Sequence, residues 1–154
     1  MRAEPFGPLV VFTLANEKWA LPASVVQRAV RAVEITPCPD APDVVLGVIN
    51  VHGRIIPVFD LRRRFGLPLR ELSIDDHIII AKAETRSVAI LVDAVCGMMQ
   101  PDESAVLTKT ELPPELTTFD GILKLGREIV LIYDLDKFLS LEEEQLLAKL
   151  ESSR

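Results

Sequence analysis

The sequence predicts an all-β fold, two similar half-barrels of short strands within one chain of 154 residues. Three observations carry this. Short runs rich in Val and Ile, bounded by Pro, Gly, Asn and Asp, recur along the chain, and such runs read as strands. Dipeptides suited to tight hairpin links fall between several of them. One strand-to-helix corner is written twice. "GRIIPVFDLRRRF" (53–65) and "REIVLIYDLDKFL" (127–139) superimpose at an offset of 74, so that Ile55, Ile56, Val58, Phe59, Asp60 and Leu61 meet Ile129, Val130, Ile132, Tyr133, Asp134 and Leu135.

Taken in order, ten runs qualify as strands: 9–15, 18–21, 29–35, 46–51, 54–60, 77–84, 86–93, 95–100, 121–126 and 128–134. Their close spacing argues for a barrel or sandwich over alternating βαβ units. Residues 1–8 read as a flexible arm before the first strand. Asn16-Glu17, Glu84-Thr85 and Gly126-Arg127 sit where hairpin links fall. Ser24 followed by Gln27 resembles a capping box for one helical turn after Pro22. Pro57 lacks an N–H and belongs on an edge or at a bulge. "DLRRRFG" predicts one turn closed by Gly66. Ser140 and Glu143 form a second capping box, and Leu139, Leu146, Leu147 and Leu150 then make one apolar stripe. That C-terminal helix either docks on the barrel or recruits a partner. The Pro-rich stretches 36–43 and 108–120 read as ordered surface loops, because neither flank is large enough to stand alone. At the repeated corner, Asp60 and Asp134 are placed to accept backbone N–H groups as helix N-caps. Leu61 and Leu135 are placed to plug a barrel end. Read this way, the repeated Asp-Leu is architecture, not chemistry.

Composition narrows the function. A chain this long buries roughly 70% of the surface that its unfolded form exposes. Its net charge of −6, from 23 acidic and 17 basic residues, argues against a nucleic-acid binder. The acidic balance and two distant cysteines, Cys38 and Cys96, fit a soluble protein of the reducing cytoplasm. No run approaches the roughly 18 apolar residues of a membrane span, and no signal peptide is expected. Phosphate loops fail, since neither GxxxxGK[ST] nor GxGxxG occurs. Cys38, Cys96, His52 and His77 lack the spacing of a zinc site, so no metal or cofactor is expected. Cys96 reads as a small buried apolar residue, and His77 as a residue at a strand's edge. Ser24, Ser73, Ser87 and Ser104 lack a nucleophile elbow. Asp75-Asp76 resemble turn residues. Arg62, Arg63 and Arg64 read as a solvated cationic face.

At "LGVINVHGRIIPVFDLRRRFG" (46–66) the chain resembles the CheW family of chemotaxis coupling proteins. Gly47, Asn50, Gly53, Pro57, Asp60, Leu61, Arg62, Phe65 and Gly66 match the family signature in register. "LVVFTLANEKWALPASVV" is similar to the family's first hairpin, "VAILVDAV" to its Val-Asp-x-Val strand, and "FDGILKLGREIVLIYDLDKFLS" to its closing element. The resemblance implies a single domain over 1–154, made of two intertwined, five-stranded SH3-like barrels around a shared core. It also implies a non-catalytic adapter between chemoreceptor cytoplasmic tips and the regulatory domain of a CheA-type histidine kinase, recruited to membrane-associated arrays without entering the membrane.

Carried over by position, the kinase-facing patch comprises Val26, Gly47 and Ile78, with Gly47 admitting a partner backbone. The receptor helix is expected in an apolar groove between the barrels, meeting Arg28, Asn50, Val51 and His52. Gly53, Pro57, Asp60, Leu61, Asp134 and Leu135 are the structural set. This chain has Arg28 where the family usually has Glu, and His52 where it has Arg. Two other readings compete with the chemotaxis adapter. One is the same fold in a pathway governing pili, surface motility or second-messenger output. The other is a small enzyme or ligand-binding barrel that borrowed the fold.

Overall fold

The computed structural model describes residues 6–31, 34–84, 86–116 and 119–136. Eleven strands run in order: β1 (Leu9–Leu14), β2 (Glu17–Pro22), β3 (Val26–Arg31), β4 (Val45–Val51), β5 (Arg54–Asp60), β6 (His77–Lys82), β7 (Ser87–Val92), β8 (Ala94–Met99), β9 (Val106–Thr108), β10 (Phe119–Leu125) and β11 (Glu128–Tyr133). They form a six-stranded sheet, β8-β1-β2-β11-β10-β9, and a five-stranded sheet, β3-β6-β7-β5-β4. The expected all-β architecture in two halves is what the described residues adopt, with one strand among them more than expected. That strand, β9, has only three residues and pairs with β10 from within a Pro- and Thr-rich stretch. β3 begins three residues before the expected run at 29–35, directly after the turn Ala23–Val25. That turn starts at Pro22 with no side-chain cap, so the Ser24–Gln27 capping box does not form. The C-terminal capping box and its leucine stripe lie outside the described residues.

The repeated corner proves to be the tail of a longer repeat. Residues 45–61 and 119–135 share one pairing register at the same offset of 74. Val45 pairs with Phe59 and Gly47 with Val58, across a bulge. Phe119 pairs with Tyr133 and Gly121 with Ile132, across the same bulge. Each glycine is there for close approach. A Cβ on Gly47 would lie 2.2 Å from the Thr36 carbonyl oxygen, and one on Gly121 2.6 Å from that of Leu107. Each hairpin's second strand then pairs in parallel with a strand from elsewhere in the chain: β5 with β7, β11 with β2. Val58 meets Ala89 and Ile132 meets Ala20, so a large side chain faces a small one in both halves.

Alternation along these strands sorts the core into three clusters. Ile56 and Val58 face the interior of the five-stranded half, together with Ile78, Ile80 and Ala89. Val130 and Ile132 face the interior of the six-stranded half, with Leu9, Val11 and Leu123. Phe59, Leu61, Tyr133 and Leu135 point instead into a core shared between the halves, with Trp19, Leu21, Ile79 and Ile90. Trp19 there lies 5.1 Å from Phe65, 6.0 Å from Phe119 and 6.4 Å from Tyr133, ring centre to ring centre. Fully burying one such ring contributes about 2–3 kcal/mol. Phe6 packs on the six-stranded cluster, and the Pro8 carbonyl accepts from Ala23 N–H at 2.8 Å. The last residues of the expected flexible arm are therefore part of the fold.

The helical corner forms as read. α1 (Leu61–Phe65) is capped by Asp60, whose Oδ1 accepts from Arg62 N–H at 3.0 Å, and closes on Gly66 at φ 66°. At the second corner the chain likewise turns helical at Leu135. Pro57 lies on β5, an internal strand, but one residue before the β5–β7 ladder starts at Val58, so no ladder bond is lost there.

Arg62 corrects the reading of a solvated arginine face. It is buried, holds both oxygens of Asp93 at 2.9 and 2.8 Å, and donates to the Pro68 carbonyl at 2.7 Å. Arg70 bonds Asp93 at 2.6 Å and also bonds the buried Asp76. Asp93 stands where the chain passes from β7 in one sheet to β8 in the other, and its Oδ2 also accepts from Ala15 N–H at 2.9 Å. Burial pushes the Asp93 carboxyl up, but hydrogen bonds from Arg62, Arg70 and Ala15 outweigh it and hold the group below the usual carboxylate range. The Asp76 carboxylate in turn raises the Arg70 guanidinium. One ion cluster thus ties α1, the loop after it, the crossover and the first hairpin together.

Candidate interaction site

The β4–β5 hairpin ends in a two-residue turn. His52 and Gly53 both have positive φ, 52° and 84°, the backbone that a type I′ link requires. Asn50 Oδ1 fixes the turn by accepting from Gly53 N–H at 2.8 Å. The five-stranded sheet curls until β3 reaches this tip, where Arg28 Nη1 lies 3.3 Å from His52 Nε2. A guanidinium only donates, so Nε2 accepts and the imidazole proton is assigned to Nδ1. A bulge in β3 between Val26 and Arg28 re-aims Gln27. Gln27 Oε1 takes a 3.3 Å bond from Ser87 Oγ, which in turn accepts from Arg54 Nη2 at 3.4 Å. Beside them Ile55, Pro57, Arg86 and Ser87 line an open depression.

The structure therefore brings Arg28 and His52 into contact, with Asn50 in the same hairpin. The Asn50 acceptor is spent on the turn, and Val51 is half-buried against the interior of its own half. The other expected patch needs correcting. Val26 is half-buried at the start of β3. Ile78 has no exposed surface, so it cannot touch a partner. Gly47 is buried too, and the backbone approaching it is the chain's own, at Thr36. A lysine there would collide with that carbonyl instead of reaching outward. Cys96, expected to be buried, is exposed, because β8 is the edge of its sheet. His77 opens β6, flanked by β3 and β7. Sequence alone gives Gln27 a capping role, rules Ser87 out as a nucleophile and marks nothing at Arg54. Their link depends on the β3 bulge and spans 33 and 60 residues, which no local pattern encodes.

Across the equivalent end of the other half, Lys18 Nζ sits 2.7 Å from Glu128, whose hydrogen bond raises the ammonium's proton affinity. Among the described residues, no three His, Cys, Asp or Glu side chains gather as a metal site. No described helix is long and apolar enough to cross a membrane.

Fold and surface together define an all-β module of two halves with a shared core, an ion cluster at the crossover and polar contacts at the outer hairpin ends. The CheW-like domain family matches residues 8–143. The chain is 30% identical to the chemotaxis protein CheW of Klebsiella aerogenes over 141 residues, 89% of this chain and 84% of that one. It is 27% identical to the chemotaxis protein CheW of Rhizobium meliloti over 139 residues, 89% of this chain and 90% of that one. The crystal structure of the scaffolding protein TtCheW from Thermoanaerobacter tengcongensis superimposes with a TM-score of 0.75 at 36% identity, covering 84% of this chain and 89% of the other. The chain belongs to the CheW-like family.

Proposed function

We propose that this protein is a chemosensory scaffold, coupling the cytoplasmic tips of chemoreceptors to a CheA-type histidine kinase. It is a non-catalytic adapter of chemotaxis signal transduction. The observation that carries the reading is the family match over residues 8–143, nearly the whole described fold. Its place is the cytoplasmic face of receptor arrays, where it binds protein and neither nucleic acid nor lipid. The receptor meets Arg28 and the Asn50–His52 turn, which lie at the end of the five-stranded half and not in the groove between the halves that the resemblance implies. That end is supported by the rigid type I′ hairpin and by the contact that locks β3 to it. The kinase regulatory domain meets a patch bordered by Val26, under which Gly47 and Ile78 set the barrel's shape.

The test is co-elution of the purified chain with a CheA-type kinase regulatory domain and with a receptor tip fragment. A ternary complex is expected. A chain that binds neither would leave the family fold intact and the adapter role unsupported.

A further inference from the structure

We infer that the partner seated on the β4–β5 end of the five-stranded half presents carboxylates flanking an apolar residue on one helix face. This rests on that end being the receptor-facing one. Arg54 directly follows the His52–Gly53 turn and Arg28 reaches it from β3, and both direct donors to acceptors that are not carboxylates, His52 Nε2 and Ser87 Oγ. Among the described residues neither takes part in an ion pair. The contrast within the molecule is sharp. Arg62 and Arg70 are neutralised by Asp93 and Asp76, and Lys18 by Glu128. In a chain with 23 acidic and 17 basic residues, two guanidiniums without a carboxylate at one barrel end are an excess that a partner can complement.

The second half of the inference is apolar. Ile55 is 64% exposed next to Arg54, above the depression that Pro57 helps to line. An apolar centre ringed by polar groups is the layout of a protein interface. Residues three or four apart share a helix face, so one amphipathic helix offers an apolar side chain to Ile55 and carboxylates to the arginines. Carboxylates also suit the forked guanidinium better than any neutral acceptor. An anionic bilayer would supply charge, but this acidic chain is repelled by it as a whole.

The probes are two receptor tip hairpins, one with its natural sequence and one with its exposed Glu and Asp changed to Gln and Asn. Both are titrated against wild type, Arg28→Glu, Arg54→Glu and Arg54→Gln, with the kinase regulatory domain as a parallel ligand. Wild type is expected to bind the natural tip at least about tenfold more tightly than the neutralised one. Arg54→Glu should lose more than Arg54→Gln, the loss should shrink at high salt, and kinase binding should stay unchanged. If wild type binds both tips equally, or if Arg54→Glu binds the natural tip as wild type does, the acidic-partner inference is overturned and the receptor reading stands. If wild type binds the kinase domain and neither tip, the receptor reading itself falls, and the inference with it. Co-sedimentation with phosphatidylserine vesicles, abolished by Arg54→Glu, would reassign the surface to a membrane and overturn it as well.

Discussion

The hairpin at 45–61 and its copy at 119–135 share register, bulge and core contacts, and they part company at their outer ends. Every inward position is matched: Phe59 with Tyr133, Val58 with Ile132, Gly47 with Gly121. At the tips the pairing of properties breaks down. One turn is His52-Gly53 with both φ positive, whereas in Gly126-Arg127 only the glycine is. Arg54 is replaced by Glu128, and the glutamate is already neutralised by Lys18. Ile55 and Ile129, by contrast, are both well exposed, at 64% and 56%. Packing density restrains what faces inward, since a close-packed interior tolerates little change in volume. Outward residues are bound by no such restraint, and there one copy can take up a partner while the other does not.

The largest expected effects test the shared core. Phe59→Ala and Tyr133→Ala should each cost about 3–5 kcal/mol, read as shifts in urea midpoint at constant slope. A loss at one position and near-neutrality at the other would mean that the two copies do not divide the core between them.

Next come the bulge glycines. A methyl group at Gly47 meets two backbone atoms and one side-chain carbon within 2.9 Å, while at Gly121 only the Leu107 oxygen is that close. Gly47→Ala should therefore cost about 3 kcal/mol and Gly121→Ala about 2 kcal/mol. The reverse order in the same denaturation series would show that the second bulge is the tighter one.

The ion cluster at the crossover gives a smaller effect with a pH signature. The folded-state pKa of Asp93 is depressed, so its stabilisation is complete above the unfolded carboxyl's value, about 3.9, and drains away as pH falls through the lower folded value. Asp93→Asn should cost roughly 1–2 kcal/mol at neutral pH after solvent screening. Thermal melts of the two proteins should converge below about pH 4. A gap that stays constant with acidification would remove Asp93's charge from the account.

The smallest effects belong to the tips. Ile55→Ser and Ile129→Ser should each change stability by less than about 0.5 kcal/mol, as exposed substitutions do. A large loss at Ile55 alone would mean that this side chain supports the fold and is not free to meet a partner.

Strand positions were legible because Val- and Ile-rich runs carry their own boundaries, and Asp60 and Gly66 announced a one-turn helix through capping chemistry. Legibility failed where a residue's role depends on something distant. Arg62 looked solvated because its partner Asp93 is 31 residues away. Gly47 reads as an opening for a partner because nothing local shows Thr36 folding over it. The repeat is legible from 53 onward but not back to 45, where the copies share little beyond Gly47 and Gly121. That pair of glycines at the same offset was the available signal. β9 had none, being three residues recruited by a neighbour's exposed edge.

The parallel pairing of β2 with β11 also dictates an order of events during synthesis. Lys18 and Glu128 are bonded across 110 residues of chain, so the opening hairpin leaves the ribosome long before the strand it must join exists. The five-stranded half, contiguous from Val26 to Val92, has every strand it needs well before then. β1 and β2 must meanwhile wait with an apolar edge unpaired, a state that invites aggregation until the last hairpin arrives. A nascent chain stalled before Phe119 is thus half a folded protein and half a hazard, and closing the second barrel is the step that a chaperone would guard.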